Sequence, residues 1–180
     1  VENPSQVMLS DRPLDAAGSV VVCSLEGTRP ILTEIQALVC QSNFNLPRRT
    51  SVGIDYNRVN LLMAVLEKRV GILIAGNDAY VNLAGGMKLN DTAIDLGIVV
   101  ALVSSFKNMP VAPDTIILGE VGLAGEIRGV ANVAQRVNEA VKMGFSKCYI
   151  PKSNYDKSMD KLPIEIIGVS TLSEAIEKIF

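Results

Sequence analysis

Few side chains in this chain can do bond-making chemistry, and their positions narrow the choices further. There is no histidine, so the usual general base and the commonest metal ligand are both missing. Hydroxyls occur at Thr92, Ser104 and Ser105, at the two ends of one apolar stretch. A serine nucleophile needs a base within about 3 Å, and the nearest lysine in sequence, Lys107, falls beyond the end of that stretch. Hydroxyls in such places usually satisfy backbone groups. Asp91 and Asp95 stand at the start of the same stretch, where carboxylates complement a helix dipole. Gly119, Gly122, Gly125 and Gly129 recur every three or four residues, which suits tight hairpin turns. No G-x-x-x-x-G-K-[ST] occurs, and no G-x-G-x-x-G follows a strand, so the chain itself carries no recognisable phosphate cradle. Cys23, Cys40 and Cys148 are odd in number and widely spaced within apolar runs. They read as small hydrophobes rather than as a zinc site or a disulfide framework. Arg48-Arg49, Arg58, Lys68-Arg69 and Arg128 form the basic clusters. Such charges are either a solvated face or contacts to an acidic polymer.

Those residues must be positioned by an alternation of strands and helices. Ser19 to Glu26, with its β-branched run, reads as a strand, Gly27-Thr28-Arg29-Pro30 as a turn, and Ile31 to Val39 as a second strand with Ile31, Ile35 and Ala37 on one side. A polar loop, Ser42-Asn43-Phe44-Asn45, leads to a third strand from Pro47 to Ile54. Asp55-Tyr56-Asn57 starts a helix in which Val59, Leu62, Met63, Leu66 and Val70 repeat at helical spacing. Val70 to Ala75 and Ala79 to Ala84 read as two strands around the turn Gly76-Asn77-Asp78, and Gly85-Gly86 breaks the second. Asn90-Asp91 caps a helix from Thr92 to Phe106 that is apolar on nearly every face and therefore central. Pro110 and Pro113 end it. Thr115 to Leu118 is a short buried strand, and the segment around Glu126 to Arg128 closes a hairpin. A helix from Asn132 to Met143 turns Val133, Val137, Ala140 and Val141 inward and stops at Gly144. Lys147 to Ile150 is a strand ended by Pro151, Ser153 to Lys161 a polar loop, and Ile164 to Val169 a further strand. Thr171-Leu172-Ser173-Glu174 is a capping box that opens a last helix striped by Leu172, Ala175, Ile176 and Ile179.

The run Gly119-Glu120-Val121-Gly122-Leu123-Ala124-Gly125-Glu126-Ile127-Arg128-Gly129-Val130, with the helix after it, resembles the segment of Lon-type proteases that carries their catalytic lysine. In the register of that resemblance the lysine position is Arg136, just before Val137. The serine position is Ala93, within Thr92-Ala93-Ile94-Asp95. Both members of the serine-lysine dyad are thus replaced. Alanine has no nucleophile, and arginine, which keeps its charge at any ordinary pH, cannot act as a neutral base. The resemblance places residues 93 and 136 side by side. A buried arginine there needs a carboxylate, and Asp95, or failing it Asp91, is the expected partner of Arg136.

A second resemblance spans nearly the whole chain. Asn3-Pro4-Ser5, Leu25-Glu26-Gly27-Thr28-Arg29-Pro30, Glu34-Ile35-Gln36-Ala37-Leu38-Val39, Pro47-Arg48-Arg49, Asn57-Arg58, Leu66-Glu67-Lys68-Arg69, Ala84-Gly85-Gly86 and Ser104-Ser105 follow in order. Together with the glycine-rich run they are similar to the C-terminal Lon-like domain of the RadA/Sms family of bacterial DNA-repair proteins. This resemblance implies an α/β fold of the Lon-protease-like kind (ribosomal protein S5 domain 2-like), with mixed sheets packed by about four helices. It implies a single domain over residues 1–180, with a zinc finger and a RecA-like ATPase upstream and outside this chain. ATP, Mg and Zn are then expected only in those upstream modules. The implied role is non-proteolytic: a platform for ring assembly and DNA binding in an ATPase that drives branch migration. DNA, single- or double-stranded, a homo-oligomeric, hexameric ring and a RecA-type recombinase are the implied partners. Arg48, Arg49, Arg58, Lys68, Arg69 and Arg128 are the candidate DNA contacts. Two other readings remain: a Lon-type peptidase with a displaced site, and a purely structural oligomerisation domain.

Composition agrees with a well-filled core. At 180 residues, one domain burying roughly 70% of its unfolded surface is the expectation. Hydrophobic residues make up 48% of the chain and the mean hydropathy is +0.30. No apolar run approaches the ~20 residues of a membrane span, so a cytoplasmic location without a membrane partner is expected. Val1-Glu2-Asn3-Pro4 lacks an initiator methionine and a signal pattern, and reads as a cut inside a longer chain. A net charge of -2 is not the footprint of an autonomous nucleic-acid binder. DNA contact would need a local basic face or many copies around a ring.

Overall fold

A computed structural model describes residues 3–43 and 45–180. Its α-helices are α1 (Pro4–Leu9), α2 (Tyr56–Val65), α3 (Asp95–Lys107), α4 (Val133–Lys142) and α5 (Leu172–Ile179). Its strands are β1 (Ser19–Glu26), β2 (Arg29–Gln41), β3 (Arg49–Val52), β4 (Asn77–Leu83), β5 (Thr115–Ile117), β6 (Glu120–Val121), β7 (Ile127–Arg128), β8 (Lys147–Pro151) and β9 (Glu165–Val169). Seven strands form one sheet in the order β3-β4-β2-β1-β5-β8-β9, and β6-β7 form a separate hairpin. Within the seven-stranded sheet β1–β2 and β2–β4 are antiparallel, while β3–β4, β1–β5, β5–β8 and β8–β9 run parallel; the β6–β7 hairpin is antiparallel. The fold is thus mixed α/β. Five α-helices are present among the described residues where about four were expected, α1 being the addition.

Helices lie on both faces of the sheet. Val20 and Val22 of β1 pack with α2, α3 and α5 in one core; Val21 and Cys23 pack with α4 in a second. This two-sided burial explains why β1 reads as a continuous apolar run rather than an alternating one. Helix α3 is buried along Asp95 to Ser104, as its all-round apolarity requires. It approaches β1 closely at Gly97, where an added Cβ would stand 2.2 Å from a Val22 Cγ atom.

Local chemistry accounts for most element ends. Asp55 caps α2 and Asp156 caps the 3-10 turn at Lys157–Lys161, each accepting from a backbone N–H two residues on. Thr171 caps α5 by accepting from Glu174 N at 3.1 Å. The reciprocal half of that capping box is displaced by one residue, since the Glu174 carboxylate accepts from Ser170 N at 2.6 Å. Asn108, left-handed at φ 53°, closes α3 before either proline is reached.

One expected strand does not form. Residues 70–75 are not a strand: the helix continues through a π turn at Leu66–Val70, and Gly71, at φ 83°, stops it. Val70 completes the helical apolar stripe, so the helical period outweighed the short apolar run that followed. The expected loop over 42–45 includes Phe44, which lies outside the described residues. Among the described residues no helix is long and apolar enough to cross a membrane.

The tight crossing at Gly97 yields a prediction. Gly97→Ala overpacks the α3–β1 contact and is expected to cost about 1–3 kcal/mol. Gly76→Ala adds a methyl to open space and is expected to be neutral or stabilising by up to ~1 kcal/mol. Urea unfolding of both variants measures the difference.

Candidate functional site

The site suggested by the sequence lies where the start of α3 meets β1 and α4. A 3-10 turn, Thr92–Ile94, precedes α3, and Asp91 caps it. Asp91 Oδ1 accepts from Ala93 N at 3.0 Å, and its Oδ2 accepts from Leu25 N of β1 at 3.3 Å. The same Oδ2 accepts from Arg136 Nη1 at 2.7 Å. Arg136 Nη1 also donates to the Cys23 carbonyl of β1 at 2.8 Å, and Nε donates to the Ala131 carbonyl at 2.8 Å. Asn132, left-handed at φ 57°, turns the chain into α4 so that Arg136 faces inward. The guanidinium is 2% exposed and is held by three acceptors from three parts of the chain. Ala93 is 1% exposed, and its carbonyl accepts from Gly119 N at 2.9 Å.

This geometry leaves no nucleophile and no base at the pair of positions 93 and 136. Asp91 links them, binding the backbone of one and the side chain of the other. The hydroxyls at the far end of α3 are committed elsewhere. Ser104 Oγ accepts from Gly18 N at 2.8 Å and donates to the Met109 carbonyl at 2.6 Å, while Ser105 Oγ accepts from Val39 N at 2.9 Å. They close backbone hydrogen bonds and meet no base.

The expected Asp95–Arg136 pair is not formed. Arg136 takes the fallback partner, Asp91, and Asp95 takes Arg58 of α2. The cause is the 3-10 turn. It leaves Asp91 outside the helix as a cap beside β1, where Arg136 arrives from α4. Asp95, the first α-helical residue, faces α2 instead. Arg58 grips Asp95 with both Nε (3.0 Å to Oδ1) and Nη2, and Val121 N donates to Asp95 Oδ2 at 3.1 Å. Burial pushes the Asp95 carboxyl above its ordinary value, with Arg58 and the Val121 N–H opposing that rise. The Arg58 guanidinium is held more firmly charged by its hydrogen bonds to Asp95. A cleft of about 220 Å³, lined by Ile54, Asp55, Arg58, Asn90 and Asp91 among others, opens beside the two ion pairs.

The remaining basic candidates divide by what they already hold. Among the candidate DNA contacts, Arg58 is committed to the buried Asp95 and its side chain is 30% exposed. Arg49 donates from its two Nη atoms to the Ala75 and Asn77 carbonyls at 2.6 and 2.5 Å. Arg69 donates to the Leu123 carbonyl of the hairpin at 3.2 Å. Arg128 pairs with Glu126 at 2.9 Å but stays well exposed. Lys68 and Arg48 are exposed.

One buried polar tie escaped the sequence reading. Ser5 Oγ of α1 accepts from Leu32 N at 2.9 Å and donates to Glu139 Oε2 of α4 at 2.6 Å. Its only sequence signal was Glu139 lying three residues beyond Arg136, within reach of the same helix face. Glu126, also missed, accepts from Ala124 N at 3.0 Å and so shapes the hairpin tip.

The two ion pairs respond differently to truncation. Arg136→Ala strands Asp91 and the Cys23 carbonyl and is expected to cost about 3–5 kcal/mol across neutral pH. Arg58→Ala removes the group that pulls the Asp95 carboxyl down, leaving burial to raise it further above its unfolded value. A raised carboxyl means that the native state binds the proton more tightly than the unfolded state. Native stability of Arg58→Ala is therefore retained below the ordinary carboxylate range and lost as pH rises through the folded value. Urea midpoints at pH 5 and pH 8 should show a larger deficit for Arg58→Ala at pH 8.

Comparison with known proteins places this site in context. The chain is 52% identical to DNA repair protein RadA of Halalkalibacterium halodurans over 98% of its own length, and 39% of that relative. It is 52% identical to DNA repair protein RadA of Bacillus subtilis over 98% of its own length and 38% of the relative. With DNA repair protein RadA of Streptococcus pneumoniae it shares 49% identity over its full length and 43% of the relative. The chain thus spans about two fifths of these relatives. The family model described as subunit ChlI of Mg-chelatase matches residues 41–154, more than half of the chain, and the chain belongs to that family.

Proposed function

We propose that this chain is a Lon-like domain without peptidase activity, one module of a DNA repair and recombination ATPase. It serves there as a platform for ring assembly and for holding DNA, and it acts in the cytoplasm. The observation that carries the non-proteolytic part is the state of Arg136, buried and bound through Nε and Nη1 to three acceptors, one of them the Asp91 carboxylate that also caps Ala93. The DNA-repair part draws on the likeness to the RadA proteins over almost all of this chain. ATP binding, zinc binding and branch migration would then belong to modules upstream, the ring would be hexameric, and a RecA-type recombinase would be the client.

Within that reading, the phosphate contacts fall to the exposed cations Arg48, Lys68, Arg69 and Arg128. Arg49 carries the same charge but also ties the Ala75 and Asn77 carbonyls, so its replacement would perturb the chain as well as the charge. Arg58 belongs to the ion pair at α3 and contributes through structure.

Two outcomes are expected. Purified protein leaves unfolded casein intact and takes up no serine-directed probe; cleavage together with labelling would sink the non-proteolytic reading. Replacing Arg48, Lys68, Arg69 and Arg128 singly by Ala weakens binding to unrelated duplexes alike, and each lost contact lowers the salt slope by about one. Binding that is unchanged when all four are replaced would move the contact off this chain and leave it a scaffold.

A further inference from the structure

One half of one sheet face carries no helix. Helices α1 and α4 cover β1, β5, β8 and the first part of β2 on that side. Beyond Glu34 the cover stops. Strand register sets out the bare rows: Gln36 beside Asn82 beside Val52, and Leu38 beside Tyr80 beside Thr50. Leu38 is 59% exposed and Val52 54%. The opposite face of the same strands, with Ala37, Ala79 and Val81, is buried in the core.

Two adjoining hollows run along this face and share Gln36 and Asn82. One, of about 360 Å³, is lined largely by apolar side chains, among them Leu38, Val52 and Tyr80. The other, of about 440 Å³, is of mixed character, lined by Arg12, Glu34, Gln36 and Asn82 together with Val7 and Met8 of α1. Glu34 is 3% exposed. Its Oε2 accepts from Ser19 Oγ at 2.5 Å, and among the described residues no cation lies within ion-pair distance of it. Arg12 lines the same hollow and feels the charge of Glu34, but it is stacked over the Phe145 ring at 5.3 Å and makes no direct ion pair with that carboxylate. A buried carboxylate facing a cavity without a paired cation is costly, and a half-covered sheet face exposes apolar surface that layered folds normally bury.

We propose that this trough is the docking site of an amphipathic helix from a partner protein, with a lysine or arginine on Glu34 and aliphatic side chains on Leu38, Tyr80 and Val52. Such a helix would complete the missing layer. Glu34 and Leu38 are four residues apart on one strand face, about 13 Å at the rise of an extended strand. A helix covers that length in about eight or nine residues, so its cation and its aliphatic anchor stand two turns apart. Glu34 and Asp11 against the single guanidinium of Arg12 leave this hollow net negative, which disfavours a phosphate backbone as its occupant. Of the cations assigned above to DNA, Arg48 precedes β3, whose Thr50 and Val52 line the trough, while Lys68, Arg69 and Arg128 line neither hollow.

The probe is a blocked, alanine-rich helical peptide of about 20 residues, fluorescein-labelled, with one arginine and a pair of leucines two turns later. Fluorescence anisotropy should show binding to the protein that weakens at least tenfold when the arginine is made glutamate, and at least tenfold when the leucines are made serine. Glu34→Gln and Leu38→Ser in the protein should each weaken the parent peptide tenfold or more. Val52→Ser, on the edge strand, supplies a third variant whose folding, checked by circular dichroism, is least in doubt, and it should weaken binding in the same direction. No binding, equal binding of the arginine and glutamate peptides, or variants that bind like the parent would overturn the proposal. So would sedimentation showing self-association that Leu38→Ser abolishes, because the face would then belong to a second copy of this chain.

Discussion

The arrangement of this molecule turns on a guanidinium that cannot give up its charge in a place with almost no water. A lysine or a carboxylic acid in such surroundings can neutralise itself, but arginine cannot. Arg136 must therefore be met by acceptors, and it is met by three. One is the carboxylate that caps α3, one is a carbonyl of β1, and one is a carbonyl of the turn that leads into α4. The relative positions of two helices and a central strand follow from satisfying one side chain. Buried ion pairs add little net stability compared with apolar packing, but removing one partner is expensive. The pair thus acts chiefly on geometry.

A second pair extends this frame to α2. Arg58 reaches Asp95 on the first turn of α3, so α3 is tied near its start to helices on both faces of the sheet. Its middle is held differently, by the absence of a side chain at Gly97, which lets the helix settle onto Val22 of β1. Charge orients the start of α3, and steric closeness sets its height above the sheet. The result is an enclosed element at which positions 93 and 136 meet without any group able to attack a peptide bond. Asp91 and Arg136 together work as a structural joint between the start of α3, β1 and α4.

The sequence alone determined most of the elements, α1 and the absence of a strand over residues 70–75 excepted. β1 appeared at its observed bounds, Ser19–Glu26, because a β-branched run between turn residues has few other uses. The burial of α3 followed from apolarity on every face, and the caps at Asp55 and Thr171 from local hydrogen bonding that needs no distant partner. That Ala93 offers no nucleophile and Arg136 no neutral base was likewise plain from residue identity. Only the tertiary structure decided which acid meets which base. Asp91 and Asp95 look alike at the start of one helix, and a 3-10 turn of three residues sends one toward α4 and the other toward α2. The same holds for Arg58, which reads as a free surface cation until α2 is packed against α3. It holds for Ser5 and Glu139, 134 residues apart and 2.6 Å from one another. The bare rows of β2, β4 and β3 depend on strand register and on where two helices stop. Local physics writes periodicity and caps into the chain. Pairings between distant polar groups depend on angles and distances that exist only once the layers have closed.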